Sequence, residues 1–476
     1  MRPIACRFLA ASSAACLVLA AGAATRPRYG GMLQVEIQAK PSTFDPAEPL
    51  AVAEAEGVAK LHALIYDHLV RLDPKGQPQP ALALAWEHDA QAAKWRFKLR
   101  PGVKWQDGTA LTPEEVVMAL KGLGAGASVR WEGDALEIDA GGPVPGLLAT
   151  LATDDGLAIR RSALGTPPLQ GSSTGALPIG TGPFRLTSWE SGRSAMLQAN
   201  EDYWDGRPYV DSIEIQMGRA SRDELLDLEL GKADVVELDP VEARRAQQEG
   251  KKVWTSAPVE LLCLRFIPNR PAVQDRRVRL ALADSIDRAA IQKVLLQNYG
   301  DVAGSIFPQW LSGYTFLFPT AMNLDQARQL RGEIGVAPTL KVGYDPGDTL
   351  ARQIAERVAV NAREVGMSLL VAPLPAGGSR MTGSGTDLVV ERVRIDGPIV
   401  DKGLMDATAH PWLLLSAPGD PEHTYAAERQ FVDSLTVIPL IHVPELLGIG
   451  PRVMDWSATP WGDWWLERVA LAGEKP

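Results

Sequence analysis

An α/β fold is the class this sequence points to, on two observations. Strand-like and helix-like segments alternate in at least two stretches. The clearest runs strand 339–344, helix 349–365, strand 368–372, a βαβ unit whose strands should pair in parallel. The chain is also long, at 476 residues with 46% hydrophobic and 22% charged. At about 100–200 residues per domain, that is enough for two or three domains, each with its own core.

From the start, Arg2 and Arg7 precede an apolar run from Phe8 to Ala21 and the small residues Gly22, Ala23 and Ala24. This is the layout of a secretory signal peptide over 1–24, with export to the periplasm. The run is shorter than the roughly 20 residues a membrane span needs. Its loss would remove two arginines, making the chain more acidic than the formal −10 of the whole. Cys6 and Cys16 lie inside it, and Ser13-Ala14-Ala15-Cys16 is a poor lipidation box. Cys263 then stands alone, so no internal disulfide is expected.

Leu33, Val35 and Ile37 alternate as a half-buried strand. Residues 52–70 read as a helix with Val58, Leu61, Ile65 and Leu69 on its apolar face. Trp95–Leu99 and Val103–Trp105 alternate about the turn Pro101-Gly102 and read as a hairpin. Thr112-Pro113-Glu114-Glu115 carries a capping box and opens a helix through Lys121. Short strands and loops follow over 122–177, then strand character over 179–197. A strand at 213–217, a helix near 221–230 and a strand at 233–236 come next. A strand at 259–267 leads to a helix over 275–296 opened by Asp275. A last strand spans 437–443, followed by the tryptophans Trp461, Trp464 and Trp465, expected to anchor the C-terminal segment. Cys263, in Leu261–Leu264, reads as a small hydrophobe in a buried strand.

Signatures of catalysis are weak. Gly171-Ser172-Ser173-Thr174-Gly175 matches G-x-S-x-G, but lacks the preceding strand and following helix that an activated serine needs. Gly122-Leu123-Gly124-Ala125-Gly126 follows a helix and lacks the third glycine of a dinucleotide fingerprint. The six histidines form no metal-binding pair, and no Walker A sequence is present. The diffuse acidity is the wrong footprint for nucleic acid. No enzyme activity, cofactor or metal is expected.

Several blocks together resemble the family 5 extracytoplasmic solute-binding proteins, the dipeptide and oligopeptide type. They are Gly30-Gly31 with Thr43-Phe44-Asp45-Pro46; Leu84–Glu87, Trp95–Gly108 and Leu111–Val116; Pro178–Phe184 with Asn200–Trp204; Asp275–Leu282 with Ser285–Arg288; and Val437–Leu440. They run in the family's order across nearly the whole mature chain. Two departures are visible. The segment after Lys121 is short, and Val393-Arg394-Ile395-Asp396 replaces the aromatic-containing motif nine residues after Asp387.

The resemblance implies a type II periplasmic binding protein fold, two lobes with a hinge plus an extra subdomain in lobe I. Lobe I would hold 25–50, 176–257 and 437–476, the extra subdomain 51–175, and lobe II 258–436, with crossings near Pro258 and Ser434. It implies a substrate-binding component that captures a peptide or similar small solute and delivers it to an ABC permease, acting as a monomer. In such peptide binders the aspartate matched by Asp396 pairs with the ligand's ammonium. Arg394 could neutralise it, and Leu50, Ala51 and Val52 would face the ligand from lobe I. A sensor or scaffold on the same fold, or a sugar, opine or metal-chelate cargo, are the alternatives.

Overall fold

Alternation at Leu33, Val35 and Ile37 gives β1 (Met32–Ile37), with all three side chains buried. The computed structural model describes residues 29–43, 52–73, 76–124, 126–144, 146–153, 155–161, 177–312, 318–375, 385–395, 421–460 and 462–472. The signal segment and the G-x-S-x-G stretch lie outside these. Helix α1 (Val52–Ile65) buries Val58, Leu61 and Ile65. It stops short of Leu69, which is buried beyond the helix, because Asp67 turns away to bridge Ile159.

The next stretch forms a unit of its own. It comprises a short hairpin β2 (Val70–Leu72) and β3 (Pro78–Pro80), then β4 (Ala83–His88), β5 (Lys94–Leu99), α2 (Pro113–Ala119), β6 (Ser128–Glu132), β7 (Ala135–Asp139) and α3 (Leu147–Thr153). The four-stranded sheet β4-β5-β7-β6 is antiparallel and packs over Phe97, Trp105, Leu120 and Leu136. The expected hairpin is corrected here. β5 pairs with β4 and β7, while Val103–Trp105 closes a small loop with Leu111 N on Val103 O at 2.9 Å and Trp105 N on Thr109 O at 2.8 Å. Trp105 is buried, and its indole N–H donates to Glu115 at 3.0 Å. The capping box forms as the spacing demands, Glu115 N to Thr112 Oγ1 at 3.3 Å and Thr112 N to Glu115 Oε2 at 2.9 Å.

Strands β8 (Phe184–Glu190), β9 (Ser194–Ala199) and β10 (Ser212–Met217) return the chain to β1. Helix α4 (Ser221–Glu229) leads to β11 (Val235–Glu237), which pairs in parallel with β1. Asp239 then caps α5 (Pro240–Gln248) through Val241 N and Glu242 N, both 2.9 Å.

Strand β12 (Lys252–Phe266) is far longer than its apolar core suggests, and buries Cys263 completely. Short α6 (Pro271–Gln274) precedes α7 (Arg276–Ser285) and α8 (Arg288–Ala290), so the single helix expected over 275–296 is broken. Ile286 is extended, and Asp287 starts afresh by accepting Ala290 N at 2.9 Å. β13 (Asp301–Val302), α9 (Gln309–Ser312) and α10 (Leu324–Glu333) follow. The βαβ unit is as expected: β14 (Thr339–Tyr344), α11 (Thr349–Glu364) and β15 (Ser368–Pro373), parallel from Thr339↔Ser368 to Tyr344↔Pro373. β16 (Leu388–Arg394), α12 (Pro421–Asp433), β17 (Val437–Ile449), β18 (Val453–Met454) and β19 (Ala470–Leu471) complete the chain.

One large sheet runs β15-β14-β16-β12-β17-β11-β1-β10-β9-β8. Its centre is the antiparallel pair β12–β17, matched from Lys252↔Ile449 to Arg265↔Val437, with register shifts on both sides of Pro258↔Pro444. The packing divides at this point. Leu447 and Ile449 join the core of β1 and β10, and Leu446 and Val253 pack with α4 and α5. Leu262, Leu264, Ile438 and Leu440 join the core of α7 and α11.

The subdomain is tied to the sheet by Gln106. Its buried amide N–H2 donates to Phe184 O at 2.7 Å and Ile65 O at 2.9 Å, and its carbonyl accepts Gly180 N at 3.0 Å. Gly180 must be glycine, since a Cβ there would stand 2.0 Å from Ile65 O. Gln106→Ala leaves the buried Gly180 N–H without its partner and removes one of the two bonds to Ile65 O, and should cost about 1–3 kcal/mol in urea unfolding. A loss under about 1 kcal/mol would show that the apolar seam, not this amide, holds the junction.

Candidate functional site

In each half of the large sheet, parallel strands end at the β12–β17 crossing. β1 and β11 end at Ile37 and Glu237, and β11 is antiparallel to β17 through Glu237↔Leu447. On the other side β14 and β16 run in parallel, and β16 ends at Arg394 opposite Glu260. Ligands in open α/β sheets sit beyond the carboxyl ends of such strands.

Charge is concentrated there. Lys60, on α1, donates to Glu237 Oε1 at 2.6 Å and lies 3.5 Å from Glu445 Oε1, with its ammonium 5.0 Å from the Trp464 ring. Glu445 in turn pairs with Arg394. A chain of four charges thus runs from lysine on one side, through a glutamate on β17, to arginine on the other side. All four are largely shielded, their side chains 7–18% exposed. A second pair, Arg392 to Glu260 at 2.8 Å, lies beside it, and Arg392 reaches Asp348, the cap of α11, at 3.7 Å. Gly462 (φ +99°) packs on the Glu445 carboxylate, 2.5 Å from where a Cβ would stand. The Glu445 N–H donates to Ser256 Oγ at 2.8 Å.

Behind the chain lies a buried acid layer. Gln38 N donates to Glu237 Oε2 at 2.8 Å, and its side-chain amide donates to Glu224 at 3.1 Å. Burial, then the neighbouring Glu237 carboxylate, pushes the Glu224 carboxyl up to about 10. Burial raises Glu36 to about 7 against the pull of Arg219.

Of the residues singled out from sequence, the structure brings Arg394 into this cluster and gives it Glu445 as a partner. Val52 is the first residue of α1. Asp396, Leu50, Ala51 and the Val52 side chain lie outside the described residues. Asp387, which anchors the Asp396 spacing, pins β16 to β14 by accepting Lys341 N at 2.8 Å. Sequence reasoning missed Lys60, Glu237, Glu260 and Glu445. The one readable signal was Glu445, a lone acid within the apolar run Val437–Ile449. Among the described residues no group of His, Cys, Asp or Glu is arranged to hold a metal ion, and no helix is long and apolar enough to cross a membrane.

The model for bacterial extracellular solute-binding proteins, family 5 Middle, matches residues 77–409. The oligopeptide-binding protein AppA of Bacillus subtilis is 24% identical over 298 residues, covering 59% of this chain and 54% of that protein. The probable D,D-dipeptide-binding periplasmic protein DdpA of Escherichia coli is 26% identical over 306 residues, covering 60% and 58%. The chain therefore spans little more than half the length of these relatives. The crystal structure of NikA from Brucella suis in complex with Fe(III)-EDTA shares the fold, with a TM-score of 0.79 at 19% identity over 93% of this chain and 100% of that one.

A carboxyl raised from 4.5 to about 10 binds its proton more tightly folded than unfolded. Its contribution to stability is therefore fullest below about pH 4.5 and is lost as pH rises towards 10. Glu224→Gln keeps the neutral shape without the proton. It should stabilise the fold at about pH 8 by roughly 1 kcal/mol or more, read as a higher melting temperature, and change it little at about pH 5. Equal shifts at both values would mean Glu224 is ionised in the fold.

Proposed function

The chain belongs to the bacterial extracellular solute-binding proteins of family 5, and from that premise we propose that it captures a peptide or similar small solute outside the cytoplasm and delivers it to an ABC permease. The observation that carries this reading is the crossing. Two sheet halves with separate cores turn the carboxyl ends of their parallel strands toward one place. β12 and β17 join them there, with their register broken at Pro258 and Pro444. Proline offers no N–H to a ladder, so the joint is the least restrained part of the pair.

On this reading the halves are lobes that close over the solute, and the subdomain of β2–β7 rides on the first. The second crossing is drawn at Pro444, further along than Ser434. The chain acts by binding and release, with no bond made or broken. The names of the two curated relatives support a peptide cargo. A peptide backbone is held by strand-like hydrogen bonds that leave side-chain choice loose. Native mass spectrometry of the protein taken from its own periplasm tests the reading. A co-purified solute of peptide mass is expected. A monomer that never carries any small molecule would oppose it.

In sequence Asp396 stands two residues beyond Arg394, the last residue of β16. On this reading its role is to meet the peptide's ammonium. Because Arg394 has Glu445 beside it, the arginine's charge is already compensated. An ammonium enclosed without an anion is costly. Asp396→Ala should weaken a free-amine tripeptide by about 2–5 kcal/mol in calorimetry and leave the N-acetylated peptide nearly unchanged. Equal binding of the free-amine peptide by both proteins would remove Asp396 from the site.

A further inference from the structure

Away from the crossing, a groove of about 520 Å³ opens between the β2–β3 hairpin and the segment after β18. Three arginines line it: Arg71 from β2, Arg100 at the end of β5, and Arg468. Each is laid on an indole. The Arg100 guanidinium stands 4.3 Å from the Trp204 ring centre and Arg71 5.8 Å from the same ring, while Arg468 stands 4.5 Å from Trp465. Trp204 is itself fixed, its N–H donating to the buried Asp67 at 3.0 Å. Stacking holds a guanidinium flat and leaves its N–H edge for a planar or tetrahedral oxyanion.

The local acids do not use up these edges. Asp205 is shared, 2.9 Å from Arg71 and 3.8 Å from Arg468. Glu467 lies 3.6 Å from Arg468, and burial pushes its carboxyl up to about 7. Asp73 accepts Gln77 N at 3.0 Å and the Gln79 side chain at 3.1 Å. Arg100 gives one bond, Nε to Ala81 O at 3.1 Å, and among the described residues it has no carboxylate in ion-pair range. The groove thus gathers three arginines, two on Trp204 and one on Trp465, in a chain of formal charge −10.

We propose that this groove is a second binding site, separate from the strand crossing, for a phosphate- or sulfate-class oxyanion carried on a body with an apolar face. Arg100 and Arg468 grip the oxyanion, while Leu72, Pro80 and Trp465 cover the apolar part. The volume is far larger than a bare anion requires and lies in the range of small-ligand sites, roughly 300–1,000 Å³. A free organic phosphate and a lipid headgroup share this chemistry.

Phenyl phosphate is the probe for the first source, inorganic sulfate for the bare anion, and vesicles containing phosphatidic acid for the second. Titration followed by tryptophan fluorescence and calorimetry should show saturable binding of phenyl phosphate, tighter than that of sulfate and weakened by added salt. Binding of the vesicles as well assigns the site to a lipid headgroup. Arg100→Gln should weaken binding about tenfold or more. Since Arg100 also supports Ala81, the exposed Arg468→Gln serves as the second variant, with a loss in the same direction. Both variants should keep the wild-type circular dichroism. The proposal fails if none of the three probes binds, or if phenyl phosphate binds both folded variants as tightly as wild type.

Discussion

Everything in this molecule hangs on the antiparallel pair β12–β17. These strands are members of both halves of the large sheet, and their side chains divide between separate cores on either side of Pro258 and Pro444. A strand pair that passes through two cores must be rigid within each and can give only between them. The sequence places its interruptions there: prolines facing one another, register shifts on both sides, and the polar Ser256, Glu260 and Glu445 close to them. The same feature that weakens the ladder also introduces the charge.

That charge is what makes the crossing a candidate site and not merely a joint. Glu445 is shielded from water and lies between Lys60 on one side and Arg394 on the other. Burying ions is costly, and their mutual attraction repays that cost only in good geometry. The net energy of the chain is therefore small, although each member depends on the next. On the proposed reading, parting the halves would rehydrate the ions as it breaks their contacts, so for these ions the two changes offset one another. A solute can shift such a balance only by the difference in its affinity for the two states, and a near-balanced pair is the one a modest ligand can tip.

What could be read from the sequence was what local physics decides. Period two named β1, the capping box set the start of α2, and the βαβ unit gave parallel pairing of β14 with β15. Partner choice was not local. Trp95–Leu99 is a strand, but its neighbours are β4 and β7 rather than the tryptophan loop beside it, because Trp105 is needed under the sheet. The break at Ile286 was missed because Asp287 can cap a helix only once the chain has already left one. Of the crossing, Arg394 was found only as the neighbour of Asp396, which its spacing from Asp387 had singled out. Lys60, Glu237 and Glu445 come from three distant segments, and nothing in their own surroundings marks them as neighbours.

The seam between the subdomain and the sheet repeats this logic in a different chemistry. Where two independently packed units meet, neither can supply a continuous apolar face, and backbone groups at the edges are left to side chains. Gln106 meets that need at the inner end of the seam, binding Ile65, Gly180 and Phe184 at once. Asp67 does the same for side chains, accepting the Thr181 hydroxyl, the Tyr203 hydroxyl and the Trp204 indole N–H at 2.8–3.1 Å. Gln106 satisfies the backbone and Asp67 fixes Trp204 from below, so of the two arginines stacked above it only Arg100 bonds the backbone, at Ala81 O. A seam closed from the inside leaves its outer groups free for solvent or ligand, which separates the arginine groove in origin from the strand crossing.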